Sequence, residues 1–456
     1  MRIRFDRGTL VLDQITEASK PAVLDGAVWD PELAAWRLPA SRLSELRVRL
    51  ADSNVRNPSD TIAPPRLEAT WQIPELRWYQ RAAIDAWRAA GERGVVALPT
   101  GTGKTLTAIG AIGELGVATL IVVPTRVLLD QWARALAQVW RFPIGRLGDG
   151  DHVVAPITVA TYASAISWAP RIGDAFGLVI VDEAHHVGAW CPHEVFDMLV
   201  APARLGLTAT PPEPGGALDR AIGPVSYALG IADLVGDALA EFDLETVPAP
   251  LDRTEREVYR ECRGRFNEAY SRFSRQQPGA TWREFVRHAS TSRDGRAALS
   301  AWRASRAVLA FPQAKRAAVT ALLARHAGER VLIFTFDNAT AYAIARALLV
   351  NPVTCDIGRR ERADMLARFR SGEAPVLVSS QVLDEGLDVP EADIAIVVGG
   401  TASQRRHVQR IGRVLRPRPG KRARVYELAT GAEMEMVVER RRGLRTNRAM
   451  HEEAVS

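Results

Sequence analysis

The chain has 456 residues, 47% of them hydrophobic and 25% charged, with a net charge of +6. At roughly 150 residues per domain there is room for about three domains, and the composition is that of a globular protein, which excludes a disordered or collagen-like chain. The longest apolar candidate, Val117 to Leu129, is broken by Pro124, Thr125 and Arg126 and falls short of the about 18 residues that a membrane span requires.

The first residues, Met1-Arg2-Ile3-Arg4-Phe5-Asp6, carry no apolar stretch ending in a small-residue cleavage site, so the expected compartment is the cytoplasm. Residues 1 to about 65 read as a small α+β unit. Ile3, Phe5 and Thr9-Leu10-Val11-Leu12 form short strands around the turn Arg7-Gly8, and Val28-Trp29 and Trp36-Arg37-Leu38 flank the turn-like Asp30-Pro31. A helix is expected from Ser41, its N-cap, to Leu50, and the stretch from Asp52 to Pro65, rich in Asn, Ser, Asp and Pro, reads as a linker.

From Leu76 the pattern changes to apolar runs separated by helices. The runs are Gly94 to Leu98, Thr119 to Val123, Ile157 to Thr161, Leu178 to Val181 and Leu205 to Thr208. A second set follows at Val331 to Phe334, Val376 to Ser379, Ile394 to Val398 and Arg424 to Leu428. Continuous apolar strands alternating with helices predict two tandem α/β domains, each built on a parallel sheet. Between them, Glu255 to Ala310 has helical spacing with aromatics at Tyr259, Phe266, Tyr270, Phe273, Trp282 and Phe285, and reads as a helical insertion. The three cysteines, Cys191, Cys262 and Cys355, lie far apart and fit neither a disulfide framework nor a zinc site, so no structural metal is expected.

Positive charge is concentrated in two segments. Asp252 to Pro312 holds 13 Arg against 7 Asp plus Glu, and Arg405 to Arg448 holds 14 Arg plus Lys against 4 Glu, leaving the rest of the chain acidic. This is the footprint of a polyanion partner, nucleic acid before membrane. In the first segment an Arg-rich helix is equally a solvated face.

Ala97-Leu98-Pro99-Thr100-Gly101-Thr102-Gly103-Lys104-Thr105 follows the first apolar run and opens a helix, the context of a phosphate-binding loop. Gly101 and Gly103 let backbone amides turn toward phosphate oxygens, and the helix N-terminus adds its positive dipole. Lys104 then reaches the β- and γ-phosphates and the Thr105 hydroxyl binds Mg²⁺. Leu98 stands where the strict pattern has its first glycine. Asp182 and Glu183 end the run Leu178 to Val181, where a carboxylate pair is costly unless it faces a cation or a site. Asp182 suits the Mg²⁺ shell, and Glu183 suits the base that orients or deprotonates the attacking water.

In this order the residues resemble superfamily 2 helicases of the DEAD/DEAH class. The resemblance implies RecA-like domains at 66–250 and 313–456, ATP with Mg²⁺ as cofactors, and DNA as partner. It implies that Gln80 of Leu76-Arg77-Trp78-Tyr79-Gln80 reads the nucleobase, with Arg77 and the loop Thr100 to Thr105 completing the nucleotide site. Pro124, Thr125 and Arg126, with Thr161 and Tyr162, are implied to hold one nucleic-acid strand by its phosphates. Asp182-Glu183-Ala184-His185 is then the DEAH box, and His185 with Thr208 and Thr210 couples hydrolysis to strand movement. In the second domain, Ser379 and Ser380 with Asp384, Gly386 and Asp388 resemble the loop that touches both nucleic acid and nucleotide. The segment Gln409 to Arg416 fits the last motif, with Gln409 catalytic and Arg413 and Arg416 as arginine fingers reaching the γ-phosphate.

Within that class the wording resembles the XPB branch of 3'-to-5' DNA helicases. Phe5-Asp6-Arg7-Gly8-Thr9-Leu10 and Trp29-Asp30 through Arg37-Leu38-Pro39-Ala40, within 1–65, resemble the branch's domain for damaged or distorted DNA, and 251–312 stands where the branch carries a helical thumb. The branch's Arg-Glu-Asp motif is missing after Thr210, where the chain reads Pro211-Pro212-Glu213-Pro214-Gly215-Gly216; this bears on duplex opening, not on ATP hydrolysis. The expected function is ATP-driven movement on DNA in repair, by a monomer acting with a nuclease or another repair protein. Its rivals are a duplex translocase or remodeller that does not separate strands, a non-catalytic DNA clamp switched by ATP, and an RNA-directed motor.

Overall fold

The computed structural model describes residues 2–15, 25–52, 59–60, 62–67, 71–380, 392–399, 422–431 and 433. β1 (Arg2–Asp6), which alternates polar and apolar residues, and β2 (Thr9–Asp13), whose Leu10-Val11-Leu12 run is buried, form an antiparallel pair. Their two-residue turn has positive φ at both Arg7 (50°) and Gly8 (82°), the handedness that matches strand twist. β3 (Val28–Asp30), β4 (Ala35–Pro39) and the short β5 (Ser59–Asp60) complete a sheet of order β3-β4-β2-β1-β5 among the described residues. Helix α1 (Leu43–Asp52) covers it, and Ile3, Leu10, Leu12, Leu38, Leu43, Leu46 and Leu50 form the core.

Two expectations change here. A 3₁₀ turn, Ala40–Arg42, precedes α1, so Ser41 does not cap it; its hydroxyl instead donates to Asp197 Oδ1 at 3.4 Å. The stretch read as a linker contains β5, which pairs parallel with β1. This small sheet packs on the α/β part that follows: Val200 joins its core, and a Cβ at Gly8 would lie 2.7 Å from Met198 Cγ.

The first α/β sheet comprises β6 (Arg93–Ala97), β7 (Thr119–Val123), β8 (Gly145–Gly148), β9 (Asp151–Val153), β10 (Ile157–Thr161), β11 (Leu178–Val181), β12 (Ala203–Thr208) and β13 (Val225–Ala228). Its order is β13-β6-β12-β11-β7-β10-β8-β9, parallel except for the edge strand β9. The central strands are buried end to end, as continuous Val, Ile and Leu runs covered by helices must be. The connecting helices are α2 (Trp78–Ala89), α3 (Lys104–Leu115), α4 (Arg126–Val139), α5 (Tyr162–Ile172) and α6 (Ala217–Ala221). Arg204 on β12 is fully buried, and its guanidinium donates to the carbonyls of Ala201, Phe196, Leu199 and Ala221. Burial, with the like charge of Arg93, brings that guanidinium down to about 9.

The chain divides between Gly230 and Ile231 into two units. In the second, β14 (Glu241–Pro248), β15 (Val331–Phe334), β16 (Asn351–Val353), β17 (Val376–Ser379), β18 (Ile394–Val397) and β19 (Arg422–Ala429) form a parallel sheet of order β14-β19-β18-β15-β17-β16. The expected limit of the first α/β domain at residue 250 is therefore corrected: β14 pairs with β19 along its full length, so these residues belong to the second sheet. Helices α7 (Arg253–Gln276), α8 (Trp282–Thr291) and α9 (Arg293–Ala310) form the insertion, two of them opened by capping boxes, Asp252 with Glu255 and Thr281 with Glu284. Phe266, Phe273 and Phe285 are its buried core with Ala289 and Leu299, so those rings are packing and not a stacking platform. Helices α10 (Gln313–Arg325), α11 (Asn338–Leu348) and α12 (Arg359–Ser371) complete the described part. Buried Lys315 of α10 donates to Glu433 Oε2 and Leu309 O, both at 2.8 Å.

Candidate nucleotide and nucleic-acid site

In a parallel sheet every strand delivers its carboxyl end to one edge, where ligands bind. That edge of the first sheet gathers the loops after β6, β7, β10, β11 and β12, which carry the residues singled out above. Gly101 and Gly103 both take left-handed φ, 91° and 82°, and turn the chain into α3 at Lys104. A Cβ at Gly103 would stand 2.6 Å from Gln80 Nε2, so this position requires glycine twice over. Lys104 Nζ donates to the carbonyls of Leu98 (3.1 Å) and Pro99 (3.4 Å), and the Thr102 hydroxyl to Pro99 O (2.8 Å), which closes the loop on itself. Leu98, directly after β6, replaces the usual glycine: it is buried and its amide donates to Thr208 O at 3.0 Å. Thr100 and Thr105 are half-buried on either side of the turn.

Gln80 is tied to the phosphate loop. Its side chain is buried; Nε2 donates to Thr102 O (2.9 Å) and Gly103 O (3.4 Å), while Oε1 accepts from the Arg77 amide (3.0 Å). With the Tyr79 hydroxyl on Thr102 O (2.7 Å), it braces the phosphate loop from α2. Arg77 is exposed beside it.

Asp182 and Glu183 follow β11. Asp182 is 6% exposed; Oδ2 accepts from Trp132 Nε1 of α4 at 2.8 Å and Oδ1 from the Glu183 amide at 2.9 Å. Glu183 takes φ 48°, a left-handed conformation that costs a non-glycine residue roughly 1–2 kcal/mol. The Tyr162 hydroxyl, donating to Asp182 O (2.6 Å) with Glu183 O at 3.1 Å, and the His186 amide, donating to Glu183 O (3.0 Å), hold that turn. His185 Nδ1 lies 3.3 Å from Thr208 Oγ1 and 3.5 Å from Glu183 Oε2, and the Thr208 hydroxyl donates to Thr210 O at 3.0 Å. The structure thus brings the expected coupling residues together. Trp132 was missed in the sequence: nothing near it in the chain signals a partner on β11.

Thr125 and Thr161 cap α4 and α5 by accepting from the amides of Leu128 and Ser164, so two helix N-termini open at the edge beside Pro124. Arg126 is largely exposed and pairs with Asp149 Oδ1 at 2.7 Å. Tyr162 is a correction: it is buried, with its hydroxyl under the DEAH turn, because its aromatic ring belongs to the core of the sheet. Ser379 and Ser380 are likewise buried. The Ser379 hydroxyl donates to Val353 O at 2.8 Å and that of Ser380 to Asn338 Oδ1, so these hydroxyls close the second sheet's edge. Asp384, Gly386, Asp388, Gln409, Arg413 and Arg416 lie outside the described residues.

The donor set of Thr105 and Asp182, one hydroxyl and one carboxylate, is hard oxygen and fits Mg²⁺, which takes few protein ligands and keeps waters and phosphate oxygens for the rest. Among the described residues no helix is long and apolar enough to cross a membrane.

Comparison with known proteins follows the same division. Residues 3–57 match the Xeroderma pigmentosum group B helicase damage recognition domain. Residues 73–213 match the family described as type III restriction enzyme, res subunit, and residues 314–418 the helicase conserved C-terminal domain. The chain is 32% identical over 444 residues to the DNA 3'-5' translocase XPB2 of Sulfurisphaera tokodaii, covering 96% of this chain and 99% of that protein. It is 29% identical over 367 residues to the DNA 3'-5' helicase XPB of Mycobacterium tuberculosis, covering 76% and 58%. Among solved structures, the helicase domain of Hef from Pyrococcus furiosus matches with a TM-score of 0.55 at 21% identity, over 80% of this chain and 97% of that one, a likeness of fold. A damage recognition domain followed by both helicase domains, in a chain that spans an XPB translocase from end to end, places this protein in the XPB family of superfamily 2 helicases.

Proposed function

We propose that the chain is an ATP-dependent motor that moves 3'-to-5' on DNA and acts in repair. The observation that carries the reading is a continuous set of contacts along one sheet edge. The phosphate loop is tied to Thr208 through the Leu98 amide, and Thr208 to the DEAH turn through His185. A change at the γ-phosphate is thereby felt where the nucleic-acid loops begin.

Lys104 and the α3 N-terminus bind the phosphates, Arg77 borders the base, and Gln80 holds the loop in its phosphate-binding form. Thr105 and Asp182 would hold Mg²⁺, which would supply positive charge against the phosphates. Glu183 orients the attacking water and takes its proton. Gln409, Arg413 and Arg416 are assigned by their motif to stabilising the transferred group. Arg126, Thr125 and Thr161 at two helix N-termini receive strand phosphates, so binding is insensitive to sequence and weakens with salt.

A second reading, movement on duplex DNA without strand separation, is favoured by the turn Pro211 to Gly216, which has no arginine where the branch carries its Arg-Glu-Asp motif. Displacement of a third strand from a triplex and of a labelled strand from a 3'-tailed duplex decides between them. Both displaced means a helicase; the triplex alone means a duplex translocase; neither, with ATP consumed, contradicts a motor.

A further inference from the structure

Trp190 keeps 52% of its surface exposed, yet its indole lies flat on His186, with ring centroids 3.7 Å apart and planes 7° from parallel. His186 is buried and meets His185 at 4.0 Å between centroids. His185 is the imidazole between Thr208 Oγ1 and Glu183 Oε2. A row of three rings therefore runs from the surface to the residue assigned as the base.

The backbone holds the outer ring still. The amides of Ala189, Trp190 and Cys191 all point at His186 O, at 3.1, 2.9 and 3.4 Å, and Gly188 N donates to Cys191 O at 2.8 Å. Gly188 permits this tight return with φ 90°. Cys191 is fully buried, and burial pushes its thiol up to about 12, so it anchors the loop and does not react. The loop thus fixes Trp190 against His186, while half of the indole is left in water.

The DEAH turn needs such support. Ala184–His186 is a short 3₁₀ turn, whose hydrogen bonds are poorly aligned, and Glu183 before it sits in a strained left-handed conformation. Catalytic side chains keep their geometry only when neighbouring rotamers are locked.

We propose that Trp190 is a positioning residue for ATP hydrolysis: its indole fixes the plane of His186, His186 fixes the rotamer of His185, and His185 holds Glu183 and Thr208 in register. The inference rests on Glu183 as the base. Its test compares wild type, W190A, W190F, W190L and E183Q in the full chain, at saturating ATP and DNA, with folding checked by circular dichroism. W190A is expected to lower kcat about tenfold, with KM for ATP and Kd for DNA changed less than about twofold. W190F restores kcat to within about twofold, whereas W190L does not, because an aliphatic cover leaves the imidazole plane unset. Wild-type kcat in W190A overturns the proposal, as does equal turnover in W190L and W190F. Turnover that survives in E183Q overturns the assignment of Glu183 itself. A dead E183Q beside an unaffected W190A removes the positioning role alone.

Discussion

The two parallel sheets use their carboxyl edges differently. On the first, the turns after the strands are tight: Gly101, Gly103 and Glu183 take left-handed backbone, Asp182 and Thr208 are buried and hydrogen-bonded, and Arg126 reaches outward. On the described part of the second, Thr335, Ser379, Ser380 and Asn338 spend their side chains on one another and on backbone carbonyls. Left-handed backbone at a non-glycine residue such as Glu183 persists only where surrounding contacts enforce it, whereas the hydroxyls of the second edge are satisfied without such strain. The difference teaches that similar motif residues on similar sheets are not equivalent. The described hydroxyls at the edge of the second sheet support its own fold.

Four substitutions test that contrast. K315A leaves Glu433 buried beside Thr430 without its cation and is expected to lower stability by about 3–5 kcal/mol, while turnover of the folded fraction is unchanged. Denaturant unfolding and ATP hydrolysis below the transition measure the two effects. K104A should do the reverse: turnover falls on the order of 10²–10³-fold with the unfolding midpoint kept, because the ammonium acts on phosphate and only lightly on the fold. Y162F removes the hydroxyl from the backbone of Asp182 and Glu183; a loss of about 1 kcal/mol in stability is expected together with lower turnover. DNA affinity, read by fluorescence anisotropy, stays at the wild-type value, and a clear loss would return Tyr162 to the nucleic-acid surface. S380A is the mildest, with about 1 kcal/mol or less in stability and no change in DNA affinity or turnover.

The sequence revealed most of this in two ways. Apolar runs of Val, Ile and Leu located the inner strands, because burial on both faces leaves no room for polar residues. β14 escaped that search because it is an edge strand: Phe242 and Leu244 alternate with Asp243 and Glu245, a period-two pattern that exposes one face. Among the site residues, spacing found the phosphate loop and the DEAH turn, since each is set by local backbone. It did not find Trp132, which meets Asp182 from another helix, nor that Tyr162 is turned inward under the DEAH turn or that Gln80 braces the phosphate loop. Local backbone form was legible, and the direction in which a side chain points across elements was not.

The most direct measurement is ATP hydrolysis by the purified protein with no polynucleotide, with single-stranded DNA, with duplex DNA and with RNA, using E183Q as the blank. The account predicts turnover stimulated by DNA above RNA and lost in E183Q. Turnover absent with every polynucleotide despite tight ATP binding would contradict the motor and leave an ATP-switched clamp.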